Sequence, residues 1–274
     1  MKIIHCYMLP VVVALLAACA ATITPALLQE IAPTGRLRVG IGVGAVPSAF
    51  WATRDPATGN PKGVAVDLGS ALAQRLGVPL ELVVYNNSGE VTAGGPRGEW
   101  DITFMAVDAD RAKTVDFGPA YYQFESTYLV PAGSAIRSIP EVDRPGMRVA
   151  GIDNTTTARS ASRSLKNTTV QTFRTVDEIT GRLRSGSVDA VALGRESLDN
   201  LALQFPGSRV LPGNFQATGT AIAVPKGRER SLACAAAFIE RAKAGGLVRS
   251  ALDAAGLKGA PVAPAVPLAG APPC

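Results

Sequence analysis

The stretch 64–79, VAVDLGSALAQRLGVP, with the LELVVY that follows it at 80–85, decides the fold class of this chain. Leucines recur at every fourth position of the first stretch, at Leu68, Leu72 and Leu76. This spacing predicts an amphipathic helix, and Gly77 ends it. The apolar run at 80–85 then predicts a buried strand, and a second run at 37–41 predicts another before the helix. Strand, helix and strand in this order indicate a parallel sheet.

The same pattern returns after residue 145, so the sequence predicts a second α/β block. Further strands are predicted at 101–105, 147–152, 188–193 and 219–224, and further helices at 155–165, 198–203, 231–243 and 247–256. Parallel sheets bind ligands beyond the carboxyl ends of their strands. Two such blocks facing each other would therefore form one cleft.

Composition excludes several classes of protein. The chain has 274 residues, of which 47% are apolar and 18% charged, as in a folded globular protein. Its single histidine, His5, lies in a segment expected to be removed. The mature chain therefore lacks a Ser-His-Asp triad, a Cys-His dyad and a His-ligated metal site, and no metal or cofactor is expected. The net charge of +5 is modest and indicates either a small anionic ligand or an anionic surface as partner, while the scattered arginines argue against nucleic acid.

The N-terminus predicts export. Residues 1–18 combine a positive start with a short apolar run, as secretory signal peptides do. The run ends in Leu-Ala-Ala-Cys, which resembles a bacterial lipobox and predicts lipidation of Cys19; the alternative is a plain signal peptide cleaved near Ala18 or Ala21. Residues 19–35 then form a tether, and the protein is expected in the periplasm, anchored to a membrane by lipid.

Removal of the signal and lipidation leave two cysteines, Cys234 and Cys274. In an oxidising compartment they form either a disulfide that holds the C-terminal tail to the last helices or two free thiols. The tail itself, 259–274, is rich in proline and is predicted to be extended and unpacked.

Five segments, taken in order, resemble the family 3 extracellular solute-binding proteins, the polar amino-acid receptors of ABC importers. They are Gly63–Leu68 (GVAVDL), Asp108–Phe117 (DADRAKTVDF), Pro119–Tyr122 (PAYY), Arg148–Thr157 (RVAGIDNTTT) and Val188–Val191 (VDAV). The resemblance covers about 37–256 and implies two α/β lobes of the type II-like periplasmic binding fold, joined by two hinge strands. Lobe 1 is expected at 36–130 plus 218–258, and lobe 2 at 131–217.

The resemblance also implies a binding site. Arg111 would donate two hydrogen bonds to a ligand carboxylate, and Thr155 and Thr156 would meet it from lobe 2 at a helix N-terminus. Asn154 stands where the family has glycine, and asparagine tolerates a positive φ. The simpler alternatives are a surface arginine paired with Asp108 or Asp110, and an ordinary threonine N-cap.

Two aromatic pairs flank this expected site. Phe50 and Trp51 stand where the family has an aromatic side chain over the ligand, and core packing explains them equally well. Tyr121 and Tyr122 are interpreted as structural residues near the hinge.

The chain departs from the family pattern at three positions. Ala106 replaces a hydroxyl residue, Asp108 replaces a threonine, and Gly194 replaces the aspartate that holds the ammonium group of amino-acid ligands. Glu196, Asp153 or Asp108 could substitute for that aspartate. An amino acid is therefore the leading candidate ligand, and a carboxylate without an amino group is the next.

The function that this pattern favours is a monomeric receptor that delivers a small polar carboxylate to an ABC permease. An enzyme is the rival, because some proteins of this fold are cyclohexadienyl dehydratases; Glu196 or Asp153 would then be the general acid. A sensory or partner-binding module is the third hypothesis. Arg159 and Arg163 are interpreted as a solvated helix face.

Overall fold

The structure, a computed structural model, describes residues 23–43, 50–267 and 274. The predictions for the signal peptide at 1–18 and for Cys19 lie outside the described residues. The helices of the described part are α1 (Pro25–Ile31), α2 (Val64–Leu76), α3 (Ser88–Gly94), α4 (Thr156–Ser164), α5 (Val176–Arg184), α6 (Arg195–Ala202), α7 (Glu229–Ala244) and α8 (Leu247–Ala254). None of these described helices has the length and hydropathy that crossing a membrane requires.

The strands of the described part are β1 (Leu37–Gly42), β2 (Thr53–Arg54), β3 (Pro61–Lys62), β4 (Leu80–Tyr85), β5 (Ile102–Ala106), β6 (Val115–Val130), β7 (Val149–Ile152), β8 (Val170–Phe173), β9 (Ala190–Gly194), β10 (Arg209–Val210) and β11 (Gln216–Pro225). Within the described residues they form a nine-stranded sheet in the order β4-β1-β5-β11-β6-β9-β7-β8, with β10 beside β6, and β2 and β3 form a small hairpin. The strands β4-β1-β5 are parallel at one end, and β9-β7-β8 are parallel at the other. The predicted α/β class with mainly parallel sheets is confirmed.

Two long antiparallel strands join the two parallel halves. β6 pairs with β11 from Val115 to Ser126 and with β9 from Ser126 to Leu129. A single strand therefore leaves one half of the sheet and enters the other, and β11 returns the chain. The sequence analysis predicted no strand at β6, because its alternation is irregular and Gly118 and Pro119 interrupt it.

The buried side chains form separate cores on the two sides of this pair. Leucines of α2 pack beneath β1, and a Cβ on Gly69 of that helix would lie 3.1 Å from Val39, so the helix lies close against the strand. On the other side, Ile152 and Ile179 pack with Leu129. The molecule therefore has two lobes, each built around its own core.

The N-terminal tether needs correction from Pro25 onward. The Thr24 hydroxyl accepts a hydrogen bond from the Leu27 amide (3.2 Å) and begins α1. Leu27 and Ile31 are buried in the lobe 1 core, and the Glu30 carboxylate accepts from the Ser231 amide of α7 (2.8 Å). Because α1 carries two apolar side chains on one face, it packs rather than extending into solvent.

The tail at 259–274 also needs correction, because its described part is docked. The Ala263 amide donates to the carbonyl oxygen of Tyr121 (3.0 Å), and a disulfide joins Cys234 to Cys274, which is fully buried. Proline lacks an N–H, but the residues between prolines keep theirs and bond to lobe 1.

Candidate functional site

A cavity of about 120 Å³ lies between the lobes, where the parallel strands of both halves end. Its wall contains the last or following residue of each of five strands: Gly42, Asn86, Ala106, Ile152 and Gly194. Ligands of parallel sheets bind at this edge, because side chains and loops there are free of sheet pairing.

Arg111 is the positively charged residue of the cavity wall in the described chain. It begins the short 3₁₀ helix Arg111–Lys113 after β5 and is 2% exposed. Its guanidinium donates to the carbonyl oxygen of Ala106 (3.1 Å) and to the hydroxyl of Ser88 (2.9 Å), while its Nε has no partner among the described residues. The described residues place no carboxylate in an ion pair with it.

Only neutral groups form hydrogen bonds with the guanidinium of Arg111. Burial above all, with a contribution from the nearby charge of Arg159, lowers the pKa of Arg111 to about 10, although the charge of Asp108 acts in the opposite direction. The guanidinium remains positive at neutral pH. A buried cation without a counter-ion favours the binding of an anion.

The lobe 2 wall is the beginning of α4. Asn154 has a φ of 56°, a conformation that asparagine tolerates, and turns the chain from β7 into the helix. The Thr155 hydroxyl accepts from the Ala158 amide (3.2 Å) and donates to the Ile152 carbonyl (2.8 Å), so it serves the helix as its N-cap. Thr156 lines the cavity, and no hydrogen bond engages its hydroxyl within the described chain. Its amide is among those that an α-helix leaves unpaired at its first turn.

The aromatic pair at 50–51 divides between core and cavity. Phe50 is fully buried and packs against Tyr122, with ring centroids 4.4 Å apart. Trp51 lines the cavity beside Phe124, at 5.4 Å between centroids. Core packing therefore accounts for Phe50, whereas Trp51 lies on the cavity wall.

The Phe124 ring fills the space that a side chain at position 194 would need. A Cβ built on Gly194 would lie 2.5 Å from two atoms of the Phe124 ring, closer than carbon atoms approach. The ring is 4% exposed and held by Trp51. An aspartate at 194 would therefore displace a packed aromatic side chain.

The three carboxylates suggested as substitutes are engaged by other groups, although Oε2 of Glu196 lies 3.5 Å from a Cβ built on Gly194. Asp108 pairs with Arg159 (2.7 Å), Asp153 accepts from the Asn154 amide group (3.2 Å), and Glu196 accepts a hydrogen bond from the Tyr122 hydroxyl. Burial raises the pKa of Glu196. None of the three is among the described residues that line the cavity, and the described chain holds no group of three His, Cys, Asp or Glu that could bind a metal.

The rim of the cavity is where the lobes touch. Arg159 of α4 forms its ion pair with Asp108 across the cleft, so its interpretation as part of a solvated face is wrong. Asn87 donates to the carbonyl oxygen of Arg174 (3.2 Å). Gly89 packs so close to Asn154 that a Cβ on the glycine would lie 2.8 Å from the asparagine Cβ.

Sequence reasoning missed Ser88, Asn87 and Phe124. The first two had a usable signal, since the polar run Asn-Asn-Ser follows β4 directly at the carboxyl end of a predicted parallel strand. Phe124 had none, because β6 was not predicted and its ring meets Gly194 only through sheet pairing.

Residues 37–253 match the profile of the bacterial extracellular solute-binding proteins, family 3. The chain is 23% identical over 186 residues to the ABC transporter glutamine-binding protein GlnH of Bacillus subtilis (strain 168), which is 65% of this chain and 67% of that protein.

Solved structures of two-lobed proteins share the fold. A mutant of ArgBP from T. maritima superposes with a TM-score of 0.73 at 23% identity, over 83% of this chain and 98% of that one. The ancestral amino acid-binding protein AncCDT-1, a precursor of cyclohexadienyl dehydratase, gives 0.72 at 27% identity, over 83% and 98%. An ancestral arginine-binding protein bound to glutamine gives 0.72 at 25% identity, over 82% and 99%. The predicted two-lobed architecture is confirmed.

Proposed function

This chain belongs to family 3 of the bacterial extracellular solute-binding proteins, and on that premise we propose that it is the receptor of an ABC importer for a small carboxylate. The observation that carries the proposal is the buried guanidinium of Arg111, which lines the cavity between the lobes and has no carboxylate partner in the described chain. Relatives named for binding glutamine and arginine support the same class of ligand, a molecule with a carboxylate.

In this proposal each lobe supplies one half of the carboxylate site. Arg111 of lobe 1 donates charge-assisted hydrogen bonds, and the hydroxyl and amide of Thr156 donate from the first turn of α4 in lobe 2. Because the groups sit on different lobes, the ligand binds fully only when the lobes meet. A ligand with higher affinity for the closed arrangement shifts the protein toward it.

The partner of the closed form is an ABC permease, and the receptor acts as a monomer in the periplasm. The support for periplasmic location is the family itself, together with the signal-like N-terminus and the lipobox at Cys19. α1 holds the chain to lobe 1 from Pro25, so a lipid anchor at Cys19 would leave five residues, 20–24, between anchor and core.

The binding test uses the mature protein with a panel of amino acids and organic acids. Thermal-shift screening finds the ligands, and calorimetry measures their affinity. Arg111→Ala is expected to weaken carboxylate binding by about 100-fold, which corresponds to the loss of about 3 kcal/mol from a charge-assisted pair. Arg97→Ala is the control, since Arg97 lies in lobe 1 but pairs with Glu99 at the surface. Unchanged affinity in Arg111→Ala would overturn the proposal.

The closure test uses Gly89→Ala. The added methyl group would collide with Asn154 across the rim, so the lobes would meet less closely, and affinity is expected to fall about 10-fold. Gly181→Ala is the control, because Gly181 is also helical and a Cβ there meets nothing within 4 Å. Small-angle scattering with and without ligand measures closure; equal compaction and affinity in both variants would contradict the mechanism.

One observation favours the dehydratase alternative: Glu196 is a buried carboxyl with a raised pKa, two residues from Gly194 on the cavity wall. Its carboxylate is engaged by the Tyr122 hydroxyl and does not line the cavity. We therefore expect no turnover of prephenate or arogenate by the purified protein, followed by absorbance of the aromatic product. Turnover that is lost in Glu196→Gln would establish the enzyme instead.

A further inference from the structure

We propose that the ligand of this cavity is a monocarboxylate that carries no ammonium group and has a compact, mainly apolar body. The inference rests on the proposed function and names the class of ligand that the receptor takes. Three features carry it: the charges of the cavity wall, the contact between Gly194 and Phe124, and the apolar lining.

The cavity wall holds one positive charge and no negative one. Arg111 is the cation, and the wall residues of the described chain include no aspartate or glutamate. A zwitterion would pair its carboxylate with Arg111 but leave its ammonium desolvated without a counter-charge on the wall itself, which is unfavourable. One carboxylate lies close to the wall without lining it: Glu196 accepts a hydrogen bond from the Tyr122 hydroxyl, and its other oxygen is 3.5 Å from a Cβ built on Gly194.

The aromatic rings of the wall do not replace a carboxylate. Trp51 and Phe124 could attract a cation through their faces, an effect much weaker than a buried ion pair. A neutral body needs no counter-charge and avoids this penalty.

Packing fixes this charge pattern in the structure. Ser126 of β6 pairs with Gly194 of β9, so the Phe124 ring lies over the glycine, where a Cβ would come within 2.5 Å. The ring also packs against Trp51 and, at 6.5 Å between centroids, Phe50. An acidic side chain at 194 would have to displace this aromatic cluster.

The remaining wall and the volume describe the body of the ligand. Beside Arg111 and several neutral polar residues, the wall contains the apolar side chains Val91, Phe104, Met105, Ile152, Val176 and Leu193. The volume of about 120 Å³ is close to that of an engineered cavity of about 150 Å³ that binds benzene. The comparison favours a short acid, of about seven or eight non-hydrogen atoms at most with its carboxylate included. The neutral side chains of Asn87 and Ser197, which also line the cavity, can form hydrogen bonds with a hydroxyl or oxo group of the ligand.

The decisive experiment compares ligands that share a skeleton and differ in one group. Calorimetry on the wild-type mature protein would measure L-leucine against 4-methylpentanoate, 2-hydroxy-4-methylpentanoate and 2-oxo-4-methylpentanoate, and L-valine against the corresponding valine-derived acids. The best acid without an ammonium group is expected to bind at least 30-fold tighter than the amino acid of the same skeleton. An amino acid that binds as tightly as or tighter than its partners would overturn the inference while the proposed function stands.

The same panel separates failure of the inference from failure of the proposed function. Isoamylamine and leucinamide, which lack the carboxylate, are included with each set. Tighter binding of these amines than of the acids would overturn both the carboxylate receptor and the inference. Absence of binding by every acid and amino acid in the panel would also overturn the inference, since both compact skeletons would have failed.

A second experiment introduces the missing charge together with the space for it. In Phe124→Ala/Gly194→Asp the ring is removed and a carboxylate is placed at the wall; Phe124→Ala/Gly194→Asn has the same shape without the charge. The aspartate variant is expected to favour the amino acid over its ammonium-free partner by at least 10-fold more than the asparagine variant does. Equal preference in two variants that both fold, shown by circular dichroism, would contradict the inference; if either fails to fold, the wild-type ligand pairs decide it.

Discussion

The cavity and its rim each contain one arginine, and the two differ in exposure and in their ion-pair partners. Arg111 in the cavity is 2% exposed and has no carboxylate partner in the described chain, whereas the side chain of Arg159 at the rim is 28% exposed and pairs with Asp108 at 2.7 Å. The same Asp108 accepts from the backbone amide of Arg111 (3.2 Å). The carboxylate nearest to both arginines is thus used to hold the lobes together at the rim.

The difference shows how position divides the work between similar residues. At the rim the Asp108 side chain is buried but Arg159 is partly exposed, so water screens the ion pair only in part and the pair can form and break as the lobes move. Inside the cavity an acidic partner would neutralise Arg111 permanently and compete with a ligand. Leaving Arg111 unpaired destabilises the unliganded protein and reserves the charge for an anion.

The largest effect is expected for Arg111→Met, which removes the cavity charge and keeps most of the volume. Burial lowers the pKa of Arg111 to about 10, so folding penalises its charged form at neutral pH, and an apolar side chain is relieved of that penalty. Carboxylate affinity should fall about 100-fold, while the unfolding midpoint without ligand stays the same or rises. Calorimetry would measure the carboxylate affinity, and thermal unfolding would measure the midpoint. A large fall in the midpoint would mean that Arg111 is a structural residue like those of the rim.

The next effect concerns the glycine that keeps an acid out of the cavity. Gly194→Ala places a Cβ 2.5 Å from the Phe124 ring and should lower the free energy of unfolding by about 1–3 kcal/mol. Gly181→Ala, in the middle of α5 with open space around it, should instead raise it by up to about 1 kcal/mol. Urea titration of both variants would measure this. Equal stability of the two variants would show that the Phe124 ring moves at little cost to make room for a side chain at position 194.

A smaller effect is expected at the rim. Arg159→Gln removes the interlobe ion pair and should reduce ligand affinity by about 2- to 5-fold, in line with a partly exposed pair. A double-mutant cycle with Asp108→Asn should give a coupling free energy of about 0.5–1 kcal/mol that shrinks at high salt. A much larger coupling free energy, or one that does not change with salt, would mean that the charges at the rim are as shielded from water as Arg111 in the cavity.

The smallest effect is expected from pH. Because the pKa of Arg111 is about 10, its guanidinium stays charged and carboxylate affinity should change less than 2-fold between pH 6 and 9. Above about pH 10 the guanidinium loses its proton, so affinity should fall. As the pH rises above about 10, the unliganded protein becomes more stable, because Arg111 keeps its proton in the unfolded chain at pH values where it loses it in the folded protein. Calorimetry across this range would measure it, and a step near pH 7 would mean that another group titrates at the site.

Much of the fold follows from local pattern. The four-residue leucine spacing predicted α2, and the apolar runs predicted β1, β4 and β9 to within one or two residues. The 16-residue β6, the docked tail and α1 were missed. Each of these depends on contacts far along the chain, such as the Tyr121 carbonyl that receives the Ala263 amide.

The candidate site divides in the same way. Arg111, Asn154 and the threonines of α4 were found through short motifs whose order resembles a family, and the structure brings Arg111 and Thr156 to one cavity. Asp108, also proposed for that cavity, serves the rim instead. No motif carries that information, because it depends on which lobe 2 side chain meets Asp108.

The amino-acid sequence by itself determined the helices and strands with a clear apolar pattern, such as α2, β1, β4 and β9, together with the two α/β blocks and the presence of an arginine in a segment typical of carboxylate receptors. Periodicity and short motifs are local properties of the chain, so they can be recognised without a structure. Only the tertiary structure decided that Phe124 covers Gly194 and that Asp108 turns to Arg159. Both contacts join residues more than fifty positions apart, and the charge of the cavity depends on them because electrostatic energy is set by distance and burial in space.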